Sequence, residues 1–107
     1  DIFNAIPDFV IVVDESGKIQ TANKKVLDEL KETEDSIINF DICDLFLEKA
    51  SFKKLLDSID GKKILHFLKN DDSLIPVTIK TANFIESNKQ KIRRVFILSD
   101  VSKIIEY

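Results

Sequence analysis

The order of apolar and polar residues along this chain predicts strands near both ends and short helices between them. Two stretches, residues 9–13 and residues 95–98, are apolar without a break. A run of this length with no polar face is typical of a strand covered on both sides, and it is too short for a helix. We therefore expect two buried strands that lie side by side in the middle of one sheet.

The second apolar run belongs to a predicted strand over residues 91–99. Beyond it, Val101, Ile104 and Ile105 recur at helical spacing. The pattern predicts that the strand passes through Asp100 into a helix over residues 101–107 that leaves the domain. At the other end, residues 1–6 have the apolar spacing of an entering helix, which Pro7 stops.

The first strand is predicted to form a hairpin with the alternating stretch 18–22. Residues 14–17 between them read Asp-Glu-Ser-Gly, and Gly17 can adopt the positive φ of a tight turn.

Four short helical segments are predicted to follow this hairpin. Each begins at a residue type that caps helix N-termini: Asn23, Thr33, Asp41 and Ser51. Asn39 is a candidate for the left-handed residue that ends the second segment. The fourth has the clearest helical spacing of apolar residues, before Gly61: Phe52, Leu55, Leu56 and Ile59.

Three further strands are predicted over residues 64–68, 74–85 and 91–99. Short turns join them, so they form an antiparallel meander. Pro76 lacks a backbone donor, which favours an edge strand or a bulge. We predict an α+β fold: a five-stranded antiparallel sheet of order 2-1-5-4-3 with short helices on one face.

Composition limits the possible functions. The 107 residues suffice for one domain, 1–107, and the net charge of -3 argues against a nucleic-acid surface. Cys43 is the single cysteine, which fits a reducing compartment. No apolar run is long enough to span a membrane, and we expect no signal peptide. We expect a cytoplasmic domain cut from a longer protein, whose parent can still be membrane-anchored.

Residues 6–23 resemble the opening of a PAS domain, in which Pro-Asp, an apolar run, Asp-x-x-Gly and Ala-Asn form the first hairpin and enter the first helix. Residues 100–102 resemble the Asp-Ile-Thr motif that ends a PAS domain and leads into a signalling helix. Residues 70–77 are similar to the family's Lys-Asp-Gly-Ser-x-Ile-Pro-Val turn, with Asp72 where glycine is usual. The resemblance covers essentially the whole chain and implies the same sheet order.

The resemblance argues against two known cofactors of the family. Flavin-binding members carry Gly-x-Asn-Cys-Arg-Phe-Leu-Gln, whereas Cys43 is followed here by Asp44 in place of the arginine that holds the flavin phosphate. Haem-binding members take a histidine from the longest helix, and residues 51–59 contain none. We therefore expect neither flavin nor haem.

Candidate catalytic chemistry is sparse. His66 is the only histidine, and it is read as a strand residue or as a polar group facing the helices. One histidine and one cysteine cannot build a Cys/His metal site, and no nucleophile–base pair is visible. We expect no enzyme activity and no metal; an enzyme on this fold would have to depend on His66.

The helices and the sheet should enclose an apolar volume. In this family such a volume binds a small ligand or is filled by side chains, and the eight phenylalanines are able to fill it. A ligand, if one binds, should be small and apolar. The candidate cavity residues are Phe40, Cys43, Phe52, Leu55, Leu56, Ile59, His66, Val77, Ile79, Val95 and Ile97.

The resemblance implies a sensory module of a multidomain signal-transduction protein, such as a sensor histidine kinase. The module would relay a ligand or conformational state to an output domain in the same chain. Asp100 and Ser102 would orient the exit helix, and the terminal helices would pair in a homodimer. The alternative is a ligand-free PAS module for dimerisation or protein interaction.

Overall fold

The computed structural model describes residues 8–47, 64–68, 73–86 and 91–101. The helices predicted at residues 1–6 and 51–59 lie outside these ranges, as does the exit helix predicted over residues 101–107, apart from Val101, which is not helical. The described elements, in chain order, are β1 (Phe9–Val13), β2 (Ile19–Ala22), α1 (Lys24–Leu30), α2 (Glu34–Ile37), a 3₁₀ helix (Ile42–Leu45), β3 (Leu65–Leu68), β4 (Leu74–Glu86) and β5 (Lys91–Asp100). All pairings are antiparallel, and the sheet order β2-β1-β5-β4-β3 confirms the prediction.

Local hydrogen bonds explain the turn and the helix starts. The Asp14 carboxylate accepts bonds from the Ser16 and Lys18 amides, both at 2.9 Å, and Gly17 has a φ of 90°. The three predicted caps within the described chain are confirmed, because each side chain accepts a backbone N–H of its own first turn: Asn23, Thr33 and Asp41. Asn39 has the expected left-handed conformation, with φ of 73°.

β5 is the central strand of the sheet. It pairs with β1 from Arg94 to Leu98 and with β4 along its whole length, through Asp100. The strand is thus one residue longer than predicted. The two apolar runs lie side by side, as expected, since Phe9 pairs with Leu98 and Val13 with Arg94.

Pro76 does not mark an edge strand or a bulge, because β4 lies between β5 and β3 and both ladders keep a regular register. Its carbonyl accepts the Val101 N–H at 2.9 Å. In an antiparallel strand the N–H and C=O of one residue point to the same neighbour, so the missing donor faces Val101. The proline therefore costs only one bond, at the very end of the β4–β5 ladder.

Alternation along the strands separates two faces of the sheet. On the core face, Phe9, Ile11 and Val13 of β1 lie beside Phe96 and Leu98 of β5, all of them buried. The helices cover this face, and one residue of each is fully enclosed in the same cluster: Val26, Ile37 and Ile42.

The two unbroken apolar runs predicted strands covered on both sides, but the outer face of the sheet is only partly covered. Val10 is buried there, but Val12, Val95 and Ile97 are only half-buried. None of the helices in the described ranges is long and apolar enough to cross a membrane.

Candidate functional site

The core face brings together three of the candidate cavity residues. Val77 and Ile79 of β4 are buried there, and Cys43 approaches from the 3₁₀ helix. The site is thus formed by the middle of the sheet and by the segment that crosses it.

Three phenylalanine rings occupy the space between these elements. Phe9 of β1 and Phe67 of β3 have ring centroids 5.0 Å apart, and Phe46 contacts Phe67 edge-on at 6.1 Å. Strands β5 and β4 lie between β1 and β3, so a flat sheet would separate these two strands by roughly 14 Å. The contact therefore requires a strongly curled sheet, whose concave side the rings fill.

Phe9, Phe46 and Phe67 were absent from the candidate list, although each is almost completely enclosed. The burial of Phe9 was predictable from the sequence, since the alternation Phe9, Ile11, Val13 places it on one face with two other large residues. The contact between β1 and β3 could not be predicted from neighbouring residues in the sequence, because it depends on the curl of the whole sheet.

Residues 39–47, here called the strap, cross the core face and bond to both edges of the sheet. At the β2 edge, Ile19 donates to the Phe40 carbonyl and the Asn39 N–H donates to the Ile19 carbonyl, both at 2.8 Å. At the β3 edge, Leu47 donates to the His66 carbonyl at 2.9 Å. The strap thereby supplies a hydrogen-bonding partner to each edge strand and closes the concave side.

Cys43 lies in the middle of the strap as a buried free thiol. Burial raises its pKa to about 12, and the carboxylates of Asp41 and Asp44 add to the effect. A thiolate is the nucleophilic form of cysteine, so this environment opposes thiolate chemistry at neutral pH.

Four candidate cavity residues do not face the core. Phe40 is 54% exposed. Val95 and Ile97 lie on the outer face, because they alternate with the buried Phe96 and Leu98, and His66 lies there as well, between Leu65 and Phe67. An unbroken apolar run shows no alternation, so the sequence did not reveal which residues of β5 point to the helices. The remaining candidates, Phe52, Leu55, Leu56 and Ile59, lie outside the described residues.

Asn23 does more than cap α1. Its side-chain oxygen accepts the N–H of Val26 at 3.3 Å and that of Val10 at 3.2 Å, while its amide group donates to the Asp8 carbonyl at 2.8 Å. Its own N–H donates to Val10. This fully buried amide therefore continues the β1–β2 ladder and fixes the start of α1 to β1 at the same time.

The end of β5 is where the described chain leaves the sheet. Asp100 pairs with the fully buried Val77, and the next residue, Val101, donates to Pro76. Asp100 itself is exposed. Ser102, the second predicted relay residue, lies outside the described part of the chain.

A charged cleft lies at the opposite end of β5, beside the β1–β2 turn. Its lining combines Asp14, Glu15 and Ser16 with Lys91 and Arg93. Burial acts to raise the pKa of Asp14, but the hydrogen bonds from Lys18 and Ser16 outweigh it and hold that pKa below its usual value. Among the described residues, no three His, Cys, Asp or Glu side chains converge as metal ligands.

Comparison with known proteins agrees with this architecture. The model of the PAS domain family matches residues 7–103. No curated protein sequence matches the chain. Among solved structures, the PAS domain of an HTR-like protein from Haloarcula marismortui superposes with a TM-score of 0.75 at 20% identity, over 92% of this chain and 90% of that one.

Two further structures show the same fold. The PAS domain of a protein from Desulfitobacterium hafniense has a TM-score of 0.70 at 20% identity and covers 91% of this chain and 95% of its own. A PAS domain from a two-component sensor histidine kinase has a TM-score of 0.72 at 4% identity, over 92% of this chain and 89% of that one.

Proposed function

This chain belongs to the PAS domain family, whose members are sensory modules. We therefore propose that it is the sensory module of a larger signal-transduction protein. The similarity to a PAS domain from a two-component sensor histidine kinase supports that class of parent. In this proposal the domain is a cytoplasmic regulatory unit, and the chemistry of the output belongs to another part of the same chain.

The main observation that supports this proposal is the position of the end of β5. The strand runs through the centre of the sheet, and its last pair joins Asp100 to the enclosed Val77. A rearrangement of the core face that moves Val77 therefore moves the point at which the chain leaves the domain. We expect the predicted helix after Val101 to transmit that movement to the output domain, with Asp100 and Ser102 setting its direction.

Replacing Asp100 tests the relay. As a helix cap, Asp100→Ala should lower the free energy of unfolding by about 1 kcal/mol. It should also uncouple output from input in the full-length parent. Glu15→Ala removes an exposed carboxylate from a distant turn and serves as the control, with neither effect expected. Unchanged stability together with unchanged output in Asp100→Ala would remove the role assigned to this residue.

A second candidate function, a ligand-free dimerisation or interaction module, is favoured by the three phenylalanine rings. Phe9, Phe46 and Phe67 fill space that a ligand in a curled sheet would need. In that case the input is contact with another protein or domain, and two copies associate through the terminal helices. We also propose that no flavin binds, since Asp44 follows Cys43 where flavin-binding members carry the arginine that holds the flavin phosphate.

Native mass spectrometry of the purified domain, followed by denaturing extraction, separates these candidates. A copurified small apolar molecule would establish a chemical sensor. A dimer without bound molecules would favour the interaction module, and a monomer without bound molecules would contradict association through the terminal helices.

A further inference from the structure

β4 is much longer than the strand beside it. It has 13 residues, and β3 pairs only with the four from Leu74 to Val77. From Thr78 to Glu86, β5 is the only strand that pairs with β4 within the described ranges. One edge of β4 is therefore without a strand partner there over most of its length.

The backbone groups on that edge can be identified from one hydrogen bond. The Pro76 carbonyl faces β5, because it accepts from Val101. Successive residues of a strand alternate in direction, so Thr81, Asn83 and Ile85 present their N–H and C=O groups away from β5. Among the described strands, none pairs with these outward-facing backbone groups.

The side chains around these positions are exposed to solvent. Four consecutive residues, from Ala82 to Ile85, are exposed, although their side chains alternate between the two faces of the sheet. Phe84 is 42% exposed and Ile85 68%. A long edge with exposed apolar side chains is a template for pairing with another strand.

We propose that β4 pairs with β4 of a second copy of this chain, antiparallel and centred on Asn83, so that two sheets join into one. Strand addition at a sheet edge is an established mode of protein recognition, in which the backbone supplies the hydrogen bonds. A two-fold axis at Asn83 would pair the outward-facing Thr81 of each copy with Ile85 of the other. The same surface then serves both partners, as a symmetric dimer requires.

The positions of the charged residues in β4 favour a second copy of the chain as the partner and Asn83 as the centre of the pairing. β4 contains two charged residues, Lys80 and Glu86. They lie three positions before and three positions after Asn83, so this register places Lys80 opposite Glu86 of the other copy, twice in each dimer. A register centred on Ala82 or Phe84 would not do so. The Asn83 register also places Phe84 opposite the small Ala82 on the same face.

This dimer deepens the proposed function, on which it rests only for the expectation of a homodimer. Its contact surface is the edge of β4 around Asn83, whereas the end of β5 pairs with β4 at Val77. Failure of the strand pairing would therefore leave both the helix-mediated dimer and the Asp100 relay to be judged by their own tests.

Residue-resolved amide hydrogen exchange by NMR, on the whole chain at increasing concentration, tests the pairing. We expect the amides of Thr81, Asn83 and Ile85 to exchange rapidly in dilute solution and to become protected as the dimer forms. The amides of Lys80, Ala82 and Phe84 bond to β5 and should be protected throughout. This alternation is specific to strand pairing, and no variant is needed to observe it.

Charge reversal tests the register. Lys80→Glu should weaken dimerisation about tenfold or more in sedimentation, because two attractive cross-strand pairs become repulsive. The double variant Lys80→Glu with Glu86→Lys should restore it. Lys24→Glu changes the net charge equally at the exposed start of α1 and should leave dimerisation unchanged; circular dichroism confirms that each variant is folded.

Three results would overturn the inference. A chain that stays monomeric at all concentrations excludes it. A dimer without new protection at Thr81, Asn83 and Ile85 shows that the copies associate elsewhere, such as through the terminal helices. Protection that is independent of concentration shows that the edge is covered within one chain.

Discussion

Each half of the β4–β5 ribbon contains an aliphatic cross-strand pair, but the two pairs lie in opposite environments. At one end, Ile79 pairs with Leu98 under the helices, and both side chains are buried. At the other, Ile85 pairs with Ile92, and these side chains are 68% and 48% exposed. Both pairs are aliphatic and lie on the same face of the sheet. Their different burial shows that residue type alone does not decide which part of a strand belongs to the core.

The two ends differ in the number of neighbouring strands and in the elements that cover them. At the buried end, β1 and β3 extend the sheet on either side, and the strap and helices cover it. Beyond the pair Val13–Arg94, β1 no longer accompanies β5, so the described ribbon has two strands. A two-stranded ribbon is marginally stable in water on its own. We infer that the exposed end is held in place by its continuity with the buried end.

The largest test of this comparison exchanges a phenylalanine at each end for alanine. Phe67→Ala should lower the free energy of unfolding by about 3–5 kcal/mol, because it leaves a cavity between Phe9 and Phe46. Phe84→Ala, its matched control at the exposed end, should cost less than about 1 kcal/mol. Urea unfolding of both variants measures the difference. Equal costs would mean that the exposed end is packed as tightly as the core.

A smaller effect is expected at Asn23, which joins β1 to α1. Asn23→Ala removes a helix cap and leaves the buried amide of Val10 without its side-chain acceptor, so we expect a loss of about 2–4 kcal/mol. Thr33→Ala removes only an exposed cap on α2 and should cost about 1 kcal/mol. Thermal unfolding compares the two, and a similar loss in both would argue against the strand-joining role of Asn23.

The strap over the buried end can be examined through Cys43. Asp41→Ala removes the cap of the 3₁₀ helix, at about 1 kcal/mol, together with a carboxylate that raises the pKa of the thiol. The variant should therefore react faster with a thiol reagent at mildly alkaline pH than the parent chain. Asp44→Ala removes the weaker of the two carboxylate effects, and its acceleration should be smaller. No acceleration in either variant would show that burial alone controls the thiol.

The smallest effect is expected at Asp14, beside the exposed end. The hydrogen bonds from Ser16 and Lys18 hold its pKa in the folded state below the usual 3.8, so its ionised form stabilises the fold. That contribution is complete above the unfolded pKa and is lost as pH falls from about 3.8 through the lower folded value. Asp14→Asn should cost roughly 0.5–1 kcal/mol at neutral pH, because a neutral oxygen accepts weaker bonds.

Urea unfolding of the parent chain and Asp14→Asn, between pH 7 and pH 2.5, gives the readout. The difference between the two should be constant above pH 5 and should shrink below about 3.8. A difference that persists unchanged at the acid end would show that the carboxylate charge is not its source.

The amino-acid sequence by itself determined the features that depend on near neighbours. The caps at Thr33 and Asp41 and the turn that ends at Gly17 were predicted correctly, because each is made by atoms two to four residues apart. The strand order was also accessible. Short turns force antiparallel neighbours, and two unbroken apolar runs are most stable next to each other.

Only the tertiary structure decided which side of each apolar run points to the helices, and with it the membership of the site. Val95 and Ile97 were assigned to the cavity and lie on the outer face, since an apolar run has no polar residue to mark its orientation. The same holds for the ring contact of Phe9 with Phe67 and for the second role of Asn23. These contacts join residues far apart in the chain, and they exist because the sheet curls and brings its distant strands together.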